Sequence, residues 1–137
     1  MKYIHAVDVE WGDCDPARIV FHPNFFSWMD AAAHKLFDAA GFSFQRFLQD
    51  YGVPGVPLAQ VHADFRTPAV VGDKLAVTCH VSEFRTTSFT VTHVITRGDT
   101  LIAEGWQKRV WCEVDPDDLA KLKPAPIPAE FREALEG

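Results

Sequence analysis

One long amphipathic segment followed by a run of period-two segments limits what this chain can fold into. From Pro23 to Ala40 the apolar residues Phe25, Phe26, Met29, Ala32, Ala33, Leu36, Phe37 and Ala40 recur at three- and four-residue intervals, with Asp30, His34, Lys35 and Asp38 on the opposite side. Pro23 suits the first helical turn, where its fixed φ is already helical and its missing N–H would have had no partner. Gly41 suits the left-handed residue that ends a helix. The spacing predicts a helix of about 18 residues, roughly 27 Å long, wet on one side only. Such a helix needs one broad apolar surface to lie on.

The rest of the chain supplies that surface. Lys2 to Trp11 alternates loosely and predicts a first strand with one wet face, and Ser43 to Gly52 predicts a second, shorter helix with Phe44, Phe47 and Leu48 as its stripe. After a Pro/Gly break at Val53 to Pro57 the period changes to two. Leu58–Phe65, Lys74–Phe84, Ser88–Arg97 and Leu101–Val114 are rich in Val, Thr, Phe, Ile and Trp, and the turn signals VGD, RTT and RGD separate them. The expected tail, Asp115 to Gly137, opens with an Asp/Pro turn, passes through KPAPIP, and ends in a short helix from Ala129 to Leu135. Strand, long helix, short helix and four strands make an α+β domain, an antiparallel five-stranded sheet wrapped around one long central helix. A parallel sheet would have needed strand and helix to alternate.

Bulk properties narrow the function. A chain of 137 residues with 47% apolar and 23% charged residues fits one domain spanning residues 1–137. Its formal charge of −6 offers no basic field for nucleic acid or an anionic membrane. No apolar run approaches the roughly 20 residues of a membrane span, and the N-terminus lacks a signal-peptide layout, so a cytoplasmic protein is expected. Cys14, Cys79 and Cys112 are odd in number and far apart, which predicts reduced thiols, Cys79 and Cys112 within strands. His5, His62, His80 and His93 fall on separate strands without ligand spacing, so no metal is expected.

The loop Gly12 to Asn24, GDCDPARIVFHPN, crowds two carboxylates, a cysteine, a histidine and two prolines into one connection. A helix starting near His22 or Pro23 presents unpartnered N–H groups and a partial positive charge that polarise a carbonyl docked there. A carboxylate from Asp13 or Asp15 facing the same carbonyl would suffice for acyl transfer to water, by direct attack or by activating water. A thioester suits such a site better than an amide, because its leaving thiolate needs little protonation. Composition alone is equally met by a structural loop, since Asp caps turns and Pro stiffens them.

Gly12 to Ala32, GDCDPARIVFHPNFFSWMDAA, resembles the signature of the 4-hydroxybenzoyl-CoA thioesterase family of hotdog-fold proteins, a G-D-x-D-x-x-x-x-V run leading into the central helix. CDPA, the HPN at the helix start and W-x-D-A-A carry the likeness to its aryl-CoA branch; GDKL and the Ser88-Phe89 pair after a basic turn add weaker support. The resemblance implies a hotdog fold and hydrolysis of an aryl- or short acyl-CoA thioester, with no cofactor. It also implies a homodimer or homotetramer with shared active sites. By the same likeness Asp15 is the catalytic carboxylate, as nucleophile or general base, and His22 supplies the backbone N–H for the thioester oxygen. Asp13 is left to loop structure. Arg85 and Arg109 fall at positions expected to meet the substrate's nucleotide phosphates, Ser88 beside Arg85 is a further substrate-binding candidate, and Asp30, read from the helix itself, is a candidate second pocket carboxylate. Taken alone, Arg109 reads equally as a solvated strand residue, and Phe42, Phe44, Phe47 and Tyr51 as core or as an aryl pocket. Two departures leave the acyl group open. His22 replaces an aromatic hydroxyl residue, as in the short-chain branch, and EFRTTSF keeps only Arg85 of a basic cluster. A hotdog β-hydroxyacyl thioester dehydratase and a non-catalytic acyl-CoA or acyl-carrier binding protein are the alternatives.

Overall fold

The computed structural model describes residues 1–53, 55–115 and 117–137. Strand β1 (Lys2–Asp8) leads through a short 3-10 turn (Trp11–Asp13) and the loop to helix α1 (Pro23–Ala39). A single α turn, α2 (Phe44–Arg46), widens into a π-type turn (Phe47–Tyr51). Strands β2 (Leu58–Phe65), β3 (Lys74–Phe84), β4 (Ser88–Arg97) and β5 (Thr100–Val110) complete an antiparallel five-stranded sheet of order β1-β3-β4-β5-β2. Strands β6 (Cys112–Asp115) and β7 (Asp118–Pro124) form a separate ribbon, and α3 (Ala129–Leu135) ends the chain. The expected fold class is the observed one.

The apolar stripe of α1 accounts for the architecture. Phe25, Met29, Ala32, Ala33, Leu36 and Phe37 are all buried, facing the alternate residues Leu75, Val77 and Cys79 of β3 and Phe89, Val91 and Ile95 of β4. Ala32 and Ala33 have no side chain beyond Cβ, so the helix settles close enough for the Cys79 thiol to reach the Ala32 carbonyl at 3.5 Å. Cys79 and Cys112 are reduced and lie in strands, as expected, and Cys14 is half-buried.

Three expectations about local structure need revision. The Leu101–Val114 run is two strands, because Trp111 changes partners: its N–H donates to Thr87 O at 2.7 Å while its carbonyl accepts from Ala125 N at 2.9 Å. Strand β1 stops at Asp8 instead of Trp11, since Trp11–Asp13 is drawn into the 3-10 turn and capped by Glu10 and Asp13. The tail carries its expected helix at Ala129–Leu135 and, in addition, a strand not expected from the sequence. Strand β7 pairs with β6, and α3 drives the fully buried Phe131 among Phe37, Phe42, Phe47, Phe89 and Trp111, with ring centroids 4.9–6.2 Å apart. Phe42 and Phe47 are therefore core and Tyr51 is half-buried against Trp111, whereas Phe44 is exposed. The expected Pro/Gly break at Val53–Pro57 and the Asp/Pro turn at 115–116 each include one residue, Pro54 and Pro116, outside the described residues.

At one edge β2 lies tight against β5. Any side chain at Gly105 would collide with the His62 carbonyl, so glycine is required for that approach. Among the described residues the other side of β2 is unpaired, and its Leu58, Val61 and Phe65 are each nearly half exposed.

Phe131→Ala is expected to lower stability by about 3–5 kcal/mol, the usual range for emptying a buried phenylalanine site. Urea unfolding checks this; a loss below about 1 kcal/mol would show that α3 is not part of the cooperative core.

Candidate active site

The loop between β1 and α1 is a small hairpin. Cys14 and Val20 bridge antiparallel, Phe21 N–H donates to Asp13 O at 2.9 Å, and Asp15 N–H donates to Ile19 O at 3.0 Å. Pro16 and Ala17 make the tip, closed by Arg18 N–H to Asp15 O at 2.8 Å. Such a three-residue connection places its last residue at positive φ, and Arg18 has φ 67°, alone among the described non-glycine residues. The hairpin is docked by Val20 N–H to Ala69 O at 2.8 Å, and tied to the helix by Asn24 Nδ2 to Asp13 O at 2.8 Å. Asp13 has the structural role expected of it, since its carboxylate accepts from Glu10 N–H at 2.8 Å.

Asp15 stands at the start of the tip, with Oδ1 accepting from Ala17 N–H at 2.8 Å. Its other oxygen has no partner among the described residues. The residue lines a cavity of about 580 Å³ with Trp11, Cys14, Pro16, Arg18, Val70 and Val71. His22 is the cap residue of α1, and Phe25 N–H donates to His22 O at 3.1 Å. Its own N–H has no partner among the described residues, so one donor at the positive end of α1 is free. The His22 ring sits edge-on to Phe21 and Phe65, 5.3 and 6.3 Å away. It lines a second cavity of about 370 Å³ with Ile19, Val20, Phe25 and Phe65 to Ala69. No residue lines both cavities, although Ala69 of the second and Val70 of the first are consecutive in the chain.

The remaining expected site residues are not gathered at Asp15. Arg109 is not a solvated strand residue: it is 2% exposed, on the helix side of β5. Its guanidinium donates to Asp30 Oδ1 at 2.5 Å, Val56 O at 2.9 Å and Gln107 Oε1 at 3.3 Å. Asp30 is thereby fixed on α1 with its side chain still 46% exposed. Arg85 lies on the opposite face of the sheet beside Ser82, Thr90 and Lys108, and is paired with Glu83 at 2.7 Å. Ser88 is buried at the start of β4, and its carbonyl accepts from Arg85 N–H.

Sequence reasoning missed the residues beneath Arg109. His93 Nε2 and Arg109 Nη2 both face Gln107 Oε1, at 3.1 and 3.3 Å. An arginine only donates, so that oxygen accepts from both, and His93 carries its proton on Nε2. His93, Gln107 and Arg109 thus form a buried chain ending at Asp30. The only early signal was polar residues at inward positions of alternating strands. Burial, opposed by the Gln107 hydrogen bond and reinforced by the Arg109 charge, pushes His93 down from 6.5 to about 4. The folded ring is neutral, so below pH 6.5 protons bind the unfolded chain first. Stability supplied by the neutral ring is complete above that pH and falls by up to about 3 kcal/mol towards pH 4. In urea unfolding from pH 7 to 4.5 the wild type is therefore expected to lose more stability than His93→Gln; parallel pH profiles would refute a buried neutral ring.

Comparison with known proteins agrees with this architecture. The family model of the thioesterase-like superfamily matches residues 9–135. The chain is 31% identical over 131 residues to 4-hydroxybenzoyl-CoA thioesterase of Pseudomonas sp. (strain CBS-3), covering 91% of each. It is 25% identical over 119 residues to 1,4-dihydroxy-2-naphthoyl-CoA hydrolase of Prochlorococcus marinus subsp. pastoris, covering 84% of this chain and 78% of that one. The crystal structure of a 4-hydroxybenzoyl CoA thioesterase mutant complexed with 4-hydroxybenzoyl CoA superposes with a TM-score of 0.89 at 28% identity, over 98% of this chain and 99% of that one. Sheet order, central helix and family match converge: this chain belongs to the thioesterase-like superfamily, as a hotdog-fold thioester hydrolase of the acyl-CoA thioesterase family.

Proposed function

We propose that the protein hydrolyses an aryl-CoA thioester of the 4-hydroxybenzoyl type, or a short acyl-CoA, with Asp15 as the reacting carboxylate. The observation that carries this reading is the pairing of two free groups on one short hairpin and the helix it feeds. These are the unpartnered Asp15 carboxylate oxygen in an open cavity and the unpartnered His22 N–H at the start of α1. The thioester oxygen takes the His22 N–H and the α1 dipole, which stabilise negative charge as it develops. Asp15 then attacks the carbonyl carbon, the C–S bond breaks, and coenzyme A leaves as thiolate. Water hydrolyses the resulting mixed anhydride and regenerates the carboxylate. In the general-base variant Asp15 instead takes a proton from the attacking water. Single turnover in heavy-oxygen water tests the anhydride route, since label enters Asp15 only when water attacks the aspartyl carbonyl of an anhydride. The names of both curated relatives support an aromatic acyl group.

Asp30, held by Arg109 with an exposed flank, is offered to substrate as a second carboxylate. Arg85 and Ser88 do not line the Asp15 cavity of their own chain, so they enter this reading only through a site shared between subunits. The unpaired β2 edge, with Leu58, Val61 and Phe65 exposed, supports a homodimer or homotetramer built along it.

Asp15→Asn is expected to reduce kcat on benzoyl-CoA and 4-hydroxybenzoyl-CoA by about a thousandfold or more, with folding unchanged by circular dichroism. Retention of more than a tenth of the activity would remove Asp15 from the chemistry. Val61→Lys is expected to shift the protein to monomer in sedimentation and abolish turnover; an active monomer would refute the shared site.

A further inference from the structure

We propose that Arg18 is an anion-binding residue of the thioester site, pairing with a carboxylate or phosphate carried by the substrate. The inference rests on the assignment of the chemistry to Asp15, whose cavity Arg18 also lines. Three observations point to it. Arg18 occupies a left-handed backbone position, φ 67°, that disfavours any residue with a Cβ and that glycine would fill without strain. A long cationic side chain is therefore held at the tip against its own backbone preference. Its guanidinium also has no hydrogen bond or ion pair among the described residues, whereas every other arginine donates to an acid or a carbonyl of the chain. Finally, it does not pair with the adjacent Asp15, so both charges are displayed on one cavity wall, beside an indole, Trp11, that is 77% exposed. An unpaired planar guanidinium is suited to bidentate capture of a carboxylate or phosphate. Bound there, the anion draws the thioester towards Asp15 without taking part in the chemistry.

The test compares wild type, Arg18→Gly and Arg18→Lys on benzoyl-CoA, the monothioester terephthaloyl-CoA and benzoyl-N-acetylcysteamine, with calorimetric titration of coenzyme A alongside. Glycine accepts the backbone angle, so Arg18→Gly folds, and Arg18→Lys keeps charge without the fork. A KM raised about tenfold on benzoyl-CoA but not on benzoyl-N-acetylcysteamine, with weakened coenzyme A binding, identifies a phosphate as the anion. A rise confined to terephthaloyl-CoA identifies a carboxylate on the acyl group. In either case kcat stays within about twofold and lysine rescues only part of the loss. Unchanged KM on all three substrates with unchanged coenzyme A affinity overturns the proposal while leaving Asp15 in place. If the wild type hydrolyses none of them but coenzyme A binding still depends on Arg18, the anion site stands and the hydrolase reading falls; if that binding is also indifferent to Arg18, both fall.

Discussion

The packing of α1 on the concave face of the sheet is the contact from which the rest of the structure follows. The stripe from Phe25 to Phe37 includes Ala32 and Ala33 at its centre, both fully buried, and their small size sets how closely helix and sheet approach. Close approach places Phe37 against Phe89 and Phe131, and Phe25 against Phe65, so the two ends of the helix meet different aromatic groups. One end is sealed by α3. The other, where α1 begins, stays open at the cavity lined by His22 and Phe25. A helix buried along its length but open at its positive end is suited to hold a carbonyl whose oxygen gains negative charge.

The hairpin that carries Asp15 depends on that placement. Its own hydrogen bonds are few, and docking relies on Val20 to Ala69 on one side and Asn24 to Asp13 on the other. Asp13 and Asp15, two residues apart, have diverged in use for this reason. Asp13 spends its carboxylate on the Glu10 N–H and its carbonyl on Phe21 and Asn24. Asp15 keeps one oxygen free. Nothing in residue type separates the two; their hydrogen bonds do.

The chain His93, Gln107, Arg109, Asp30 shows the opposite economy, a polar path laid through an apolar interior. Arg109 is buried with one carboxylate, one carbonyl and one amide oxygen as partners. An arrangement of this kind adds little stability over an apolar core, because desolvation offsets much of the attraction. It does fix geometry. Asp30 is held by a guanidinium that cannot turn without leaving Gln107 and Val56 unpaired.

Periodicity determined by itself that one helix lies against one antiparallel sheet. The strands Leu58–Phe65, Lys74–Phe84 and Ser88–Arg97 and the helix α1 were legible almost to the residue, because alternation and three-to-four spacing record which face is buried. Gly12 to Asn24 was legible as an unusual loop for the same local reason, that prolines and aspartates define turns. Only the tertiary structure decided what long-range partners decide. Trp111 leaves the sheet because Thr87 and Ala125 offer it hydrogen bonds, and the last segment is core because Phe131 finds a gap among rings distant in sequence. Arg109 faces inward because Asp30, 79 positions away, neutralises it. A side chain's type records its preference for water or oil, whereas the partner that reverses that preference is encoded elsewhere in the chain and meets it only when the fold is complete.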